Sequence, residues 1–185
     1  MNIICNGIRK HGTHALLKAV ELLGQPLQYK EQSGAVLRHD VYGDLPTSTK
    51  HLFIKRNPKN AFISLMRSYN LPLTSGMIRS KLLSFEDETY VDHCTPYLGW
   101  LDDPDTLVVK FEDLTTDSGA SIDAIADHLG VSRQADAFAN LFGHTVTWTG
   151  EFSDYEALAA WDAEVDAVWA DMGGQALEMA LDYGS

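Results

Sequence analysis

Cysteine is scarce in this chain of 185 residues. Only Cys5 and Cys94 occur, too few for a disulfide framework or a four-cysteine zinc site. Basic residues are outnumbered, 14 Lys and Arg against 26 Asp and Glu, for a formal charge of −12. Nucleic-acid binding by counterion release needs clustered cations, so no nucleic-acid partner is expected. No apolar run approaches the roughly 20 residues of a membrane span, so no membrane partner is expected either. The opening Met-Asn-Ile-Ile-Cys-Asn-Gly is too short an apolar run for a signal peptide, and the expected location is cytoplasmic, where thiols stay free. Repeats, low-complexity tracts and linker-like stretches are absent too.

What remains is an ordinary globular composition, 45% hydrophobic and 22% charged. The length suits one domain, residues 1–185, able to bury about 70% of its unfolded surface. Asn2 to Asn6 reads as a buried strand ending at Gly7, and Gly7 to Gly12 as a glycine-bounded loop rich in cations. From Thr13 onward Leu16, Leu17, Val20 and Leu23 fall at helical spacing until Gly24 and Pro26. Ala35 to His39, His51 to Lys55 and Thr106 to Phe111 are further strands. Helices are predicted after Pro58, over most of 76–101, from Ile122 to Gly130, from about Asp154 to Met172, and after Gly174. A turn is expected from Asp113 to Asp117. Alternating strands and helices imply an α/β fold, a mostly parallel central sheet flanked by helices. Such a sheet binds ligands beyond the carboxyl ends of its strands.

Three features sit just after strands. In Arg9-Lys10-His11-Gly12-Thr13-His14, unpaired amides at a helix start meet the point charge of Lys10. Thr13 is placed to cap the helix or to donate to an anion. This is a phosphate-type site in outline, though no Walker A loop is present. The bland alternative is a solvated loop. In Arg56-Asn57-Pro58-Lys59-Asn60, a helix starting near Pro58 carries Ser64 almost two turns along. Arg56 as fork and Ser64 as donor could clamp one phosphate, although a surface arginine and a helix serine are the commoner case. His39, after Arg38, can take a proton near neutral pH.

Together these motifs resemble the sulfotransferases that use 3′-phosphoadenosine 5′-phosphosulfate (PAPS). Lys10, Gly12 and Thr13 match the family's Pro-Lys-Ser-Gly-Thr-Thr, with His11 for the serine and His14 for the second threonine. Arg56, Asn57, Pro58, Lys59 and Ser64 match its Arg-(Asn/Asp)-Pro-(Lys/Arg)-Asp and following serine. His39 to Leu45-Pro46 keeps the spacing of Lys-Thr-His-Leu-Pro-x-x-Leu-Leu-Pro, and Glu112-Asp113-Leu114 resembles the strand end Tyr-Glu-Asp-Leu. The family's Arg-Lys-Gly-x-x-Gly-Asp-Trp falls at Trp148-Thr149-Gly150-Glu151-Phe152-Ser153-Asp154-Tyr155, where Gly150 and Asp154 fit and the Arg-Lys pair is missing.

The resemblance implies a P-loop-like nucleotide-binding architecture and transfer of a sulfuryl group from PAPS to a hydroxyl or amine, with 3′-phosphoadenosine 5′-phosphate (PAP) as product. His39 would be the general base and Lys10 the second catalytic group. Arg9, Lys10, His11, Gly12, Thr13, His14, Arg56, Ser64 and Gly150 would hold the nucleotide. The acceptor is a small molecule or a glycan. The short chain implies an open pocket, or a lid supplied by a second copy in a homo-oligomer. The rival functions are a P-loop-type nucleotide-dependent phosphotransferase and a non-catalytic binding module of the same fold. No metal is called for: His11 and His14 lack a third ligand at suitable spacing. Cys94 beside His93 as a thiol nucleophile is the weaker reading.

Overall fold

The computed structural model describes residues 2–28, 33–46, 48–116, 118–133, 141 and 152–184. Its elements run β1 (Asn2–Gly7), α1 (Thr13–Leu22), β2 (Ala35–Leu37), β3 (Thr49–Lys55), α2 (Pro58–Ser68), α3 (Ser75–Leu83) and α4 (Tyr90–Cys94). A 3₁₀ segment (Thr95–Leu101) follows, then β4 (Thr106–Lys110), α5 (Phe111–Thr116), α6 (Ser118–Leu129), α7 (Ala163–Asp171) and α8 (Gly174–Ala180). The chain gathers into two compact units, Met1–Arg56 with Gly99–Glu151, and Asn57–Leu98 with Phe152–Ser185.

The first unit holds a sheet in the order β2-β1-β3-β4, every pairing parallel. β1 lies inside, and the chain goes to one neighbour and then back to the other. That reversal places a switch point at the carboxyl ends of β1 and β3. Side chains alternate along the strands. Ile3, Cys5, Leu52, Ile54 and Val109 face a core completed by Leu16, Ala19 and Val20 of α1, Leu114 of α5, and Ile122, Ile125 and Leu129 of α6. Asn6, His51 and Thr106 belong to the opposite alternation, and His51 Nδ1 meets the Thr106 hydroxyl at 2.8 Å.

The second unit is helical. Asn57 caps α2, its side chain accepting from the Asn60 amide at 3.1 Å, with Pro58 in the first turn where no donor is missed. Lys59 is buried among the rings of Tyr155 (4.7 Å), Trp161 (5.7 Å) and Trp169 (5.8 Å). Its ammonium lies 3.5 Å from both Asp166 and Glu178. Those carboxylates also accept from the indoles, Trp161 to Asp166 at 2.8 Å and Trp169 to Glu178 at 2.9 Å.

Two expectations are corrected. Of the turn foreseen at 113–117, residues 113–116 belong to α5, whose first turn carries Glu112 and Asp113, where carboxylates suit the helix dipole, and 117 lies outside the described residues. The helix foreseen from Asp154 begins only at Ala163. The Asp162 carboxylate accepts from the amides of Glu164 and Val165, both at 3.0 Å, and starts it there.

Candidate functional site

β1, β2 and β3 of the first unit all end on one edge of the sheet, and each is followed by a residue singled out above. Past β1 the chain makes a tight turn, the His11 amide donating to the Ile8 carbonyl at 3.0 Å. Lys10 sits in the left-handed region at φ 67. Gly12 follows at φ 108 as the N-cap of α1. A Cβ there would lie 2.4 Å from the Phe111 ring, so the loop is pressed onto a buried aromatic. Thr13 is the first residue of α1 and is buried, so it does not cap the helix. Gly12 has no side chain to do so. The first turn holds no acidic residue and no side-chain cap, which leaves its amides and the positive end of the dipole for an anion.

Past β3, Arg56 is buried, although a surface position was the commoner expectation. Its backbone amide donates to His11 Nδ1 at 3.1 Å, its guanidinium donates to the Lys10 carbonyl at 3.3 Å, and that guanidinium lies 4.3 Å over the Phe111 ring. His11 is fully buried and ties the loop after β1 to the end of β3. The positive charges crowd. Burial, then the Arg56 charge, lowers the Lys10 pKa below its ordinary value. Burial, then His39 and Lys10, does the same to His14.

Past β2, the Arg38 amide still reaches the Cys5 carbonyl at 2.9 Å, and the strand then gives way. The half-buried His39 donates from Nδ1 to the Gly7 carbonyl at 2.6 Å. Asn6, fully buried, holds the next residue: its Oδ1 accepts from the Asp40 amide at 3.0 Å and its Nδ2 donates to the Asp40 carbonyl at 2.9 Å. The Trp100 indole donates to that same carbonyl at 3.0 Å. Within this unit, Lys10, Gly12, His14, His39 and Arg56 therefore gather at the strand ends, where a bound anion would meet amides, an ammonium and imidazoles.

The remaining candidates lie elsewhere. Arg9 is exposed on the same loop, Ser64 is half-buried on α2 of the second unit, and Gly150, with Trp148 and Thr149, falls outside the described residues. Asn6 and Phe111 were missed. A polar residue closing an otherwise apolar strand was the available signal for Asn6. Nothing local marks Phe111. The thiols are buried and pushed up to about 12, so neither Cys5 nor Cys94 is poised as a nucleophile. Among the described residues no group of three His, Cys, Asp or Glu could hold a metal ion. No helix among them is long and apolar enough to cross a membrane.

No protein-family model matches the sequence, and no curated protein matches it. Solved structures do. The chain is similar to mouse sulfotransferase SULT7A1 complexed with PAP, at 18% identity and a TM-score of 0.69, over 98% of this chain and 87% of that one. It is also similar to retinol dehydratase in complex with androsterone and inactive cofactor PAP, at 14% identity and a TM-score of 0.50, over 98% and 79%. The chain has a sulfotransferase-like α/β fold.

Proposed function

We propose that this chain is a sulfotransferase that moves a sulfuryl group from PAPS to the hydroxyl or amine of a small molecule or glycan. The observation that carries the reading is the meeting of Lys10, His14, His39 and Arg56 at the ends of three parallel strands, beside the uncapped start of α1. The residues suit a bound phosphosulfate. Gly12 leaves the approach to the first-turn amides without a side chain; Lys10 and His14 are lowered first by burial and then by neighbouring positive charge, and an anion opposes that second cause.

PAPS, when bound, supplies the sulfuryl group. Lys10 and the amides of the α1 first turn would hold the 5′-phosphosulfate and stabilise charge growing on the leaving phosphate, electrostatic help aimed at the transition state. Arg56 would bind the 3′-phosphate and so reject ATP. His39 would take the acceptor's proton. A carbonyl oxygen can only accept, so the bond from Nδ1 to Gly7 leaves Nε2 as its basic nitrogen.

The test is calorimetric titration with PAP beside ATP and AMP. PAP should bind far more tightly than either, and Arg56→Ala should abolish the preference. His39→Ala should keep PAP binding and lose turnover. Stronger ATP binding would instead favour a P-loop-type phosphotransferase, and no nucleotide binding a non-catalytic module.

A further inference from the structure

His39 is held by more than its own bond. The β1–β2 ladder ends at Leu37, with the Arg38 amide on Cys5 as its last rung. The next rung is made by a side chain. Asn6 grips the backbone of Asp40 through both its atoms, at 3.0 and 2.9 Å, while its Oδ1 also accepts from the Gly7 amide at 2.9 Å. One carboxamide therefore holds both Gly7, whose carbonyl His39 bonds, and Asp40, the residue after His39 itself. Trp100 supplies a second donor to the Asp40 carbonyl. Its indole is backed by the His51 ring at 4.2 Å and the Tyr42 ring at 4.9 Å. His51 in turn bonds Thr106, whose hydroxyl reaches Asp103 at 3.2 Å. All of this lies in the first unit.

We infer that Asn6 and Trp100 are positioning residues which hold His39 in its Nδ1–H tautomer, so that Nε2 is the nitrogen presented for proton transfer. The inference rests on the proposed role of His39 as base. A neutral imidazole in water favours the other tautomer, with the proton on Nε2. The partner of one ring nitrogen decides the state of the other, and here that partner is a carbonyl whose approach to the ring depends on the Asp40 clamp. Loss of the Asn6 carboxamide leaves the Asp40 backbone without its rung and frees His39 to leave the Gly7 carbonyl.

Nitrogen-15 NMR of the histidine rings in the full chain reads this directly, with no nucleotide and no acceptor present. The His39 signals are identified by their loss in His39→Ala. Neutral wild-type His39 should be Nδ1–H. In Asn6→Ala most of that population should pass to Nε2–H. Asn6→Asp, which keeps the acceptor but loses the donor to Asp40, and Trp100→Phe, which loses the indole donor and part of the ring packed on His51 and Tyr42, should lie between. Ile125→Val, a core change in the same unit, should lower stability and leave the tautomer alone. A wild-type His39 that is Nε2–H overturns the inference, as does an unchanged Nδ1–H tautomer in folded Asn6→Ala. If Asn6→Ala does not fold, Trp100→Phe decides: an unchanged tautomer there overturns it. Full turnover in His39→Ala beside the expected tautomers would instead sink the base assignment and leave the clamp standing.

Discussion

Replacing Gly12 by alanine should cost stability and ligand binding together. At φ 108 the residue lies in the left-handed half of the map, where a Cβ costs about 1–2 kcal/mol. The new methyl also starts 2.4 Å from Phe111 Cδ2, so the ring must retreat by about 1 Å to reach an ordinary contact. Phe111 is 7% exposed and lies under the Arg56 guanidinium, so it has little room to move. Overpacking a filled core costs roughly 1–3 kcal/mol. The two together give about 2–5 kcal/mol, within the usual 5–15 kcal/mol of total stability, so the protein should still fold. At about 2–4 °C per kcal/mol for a chain of this size, urea and thermal melts resolve the loss easily. PAP affinity should fall as well, because the Arg56 guanidinium rests on the displaced Phe111 ring and bonds the Lys10 carbonyl. Gly99→Ala is the control. Its Cβ would lie 2.4 Å from the Tyr42 ring, yet Tyr42 is 51% exposed and can swing away, losing at most an aromatic pair worth about 1 kcal/mol. At a relaxed backbone position Gly→Ala would be stabilising by about 0.4–1 kcal/mol, so the sign is informative. A Gly12→Ala protein as stable as wild type, or no worse than Gly99→Ala, would refute the reasoning.

Three further outcomes are expected. Lys59→Met should lower stability by about 2–3 kcal/mol in urea melts. It takes the ammonium from Glu178, only 12% exposed, while the Trp169 indole that still donates to that carboxylate and the 55% exposure of Asp166 moderate the loss. Adding Glu178→Gln should restore part of it, and a purely additive double variant would argue against the ion pair. His51 has its pKa lowered to about 4, chiefly by burial, so the unfolded chain takes up its proton first as pH falls from 6.5. Stability present above pH 6.5 should therefore drain away towards pH 4, by about 3 kcal/mol at 1.36 kcal/mol per unit, and His51→Gln should flatten that limb. An equally steep acid limb in His51→Gln would assign it to other groups. His14 is held below 6.5 by burial, His39 and Lys10, and a bound anion opposes the two charges. PAP binding near pH 6.5 should then take up protons and tighten as pH falls. Calorimetry in buffers of different ionisation enthalpy should show uptake in the wild type and little in His14→Gln; release of protons would contradict the placement of the anion.

The strands were legible because a buried strand between glycines or prolines writes its signal in five or six adjacent residues. The site followed from that: parallel strands all end on one edge, so Lys10, His39 and Arg56, each just past a strand, had to share it. Other features depend on pairs far apart in the chain. Asn6 matters only because β1–β2 pairing brings Asp40, 34 positions on, to its carboxamide. Gly12 is compelled by Phe111, which reads locally as the end of a strand, and Arg56 is buried because the same ring stacks beneath it. Lys59 looks like one more solvated cation until Asp166, 107 positions later, arrives with two indoles. In each case residue type told what the group can do, and register decided what it does. That distinction bears on His39 most of all. Its identity makes it a candidate base, but which of its nitrogens is basic is settled by a carbonyl on another strand and by the asparagine beside that carbonyl.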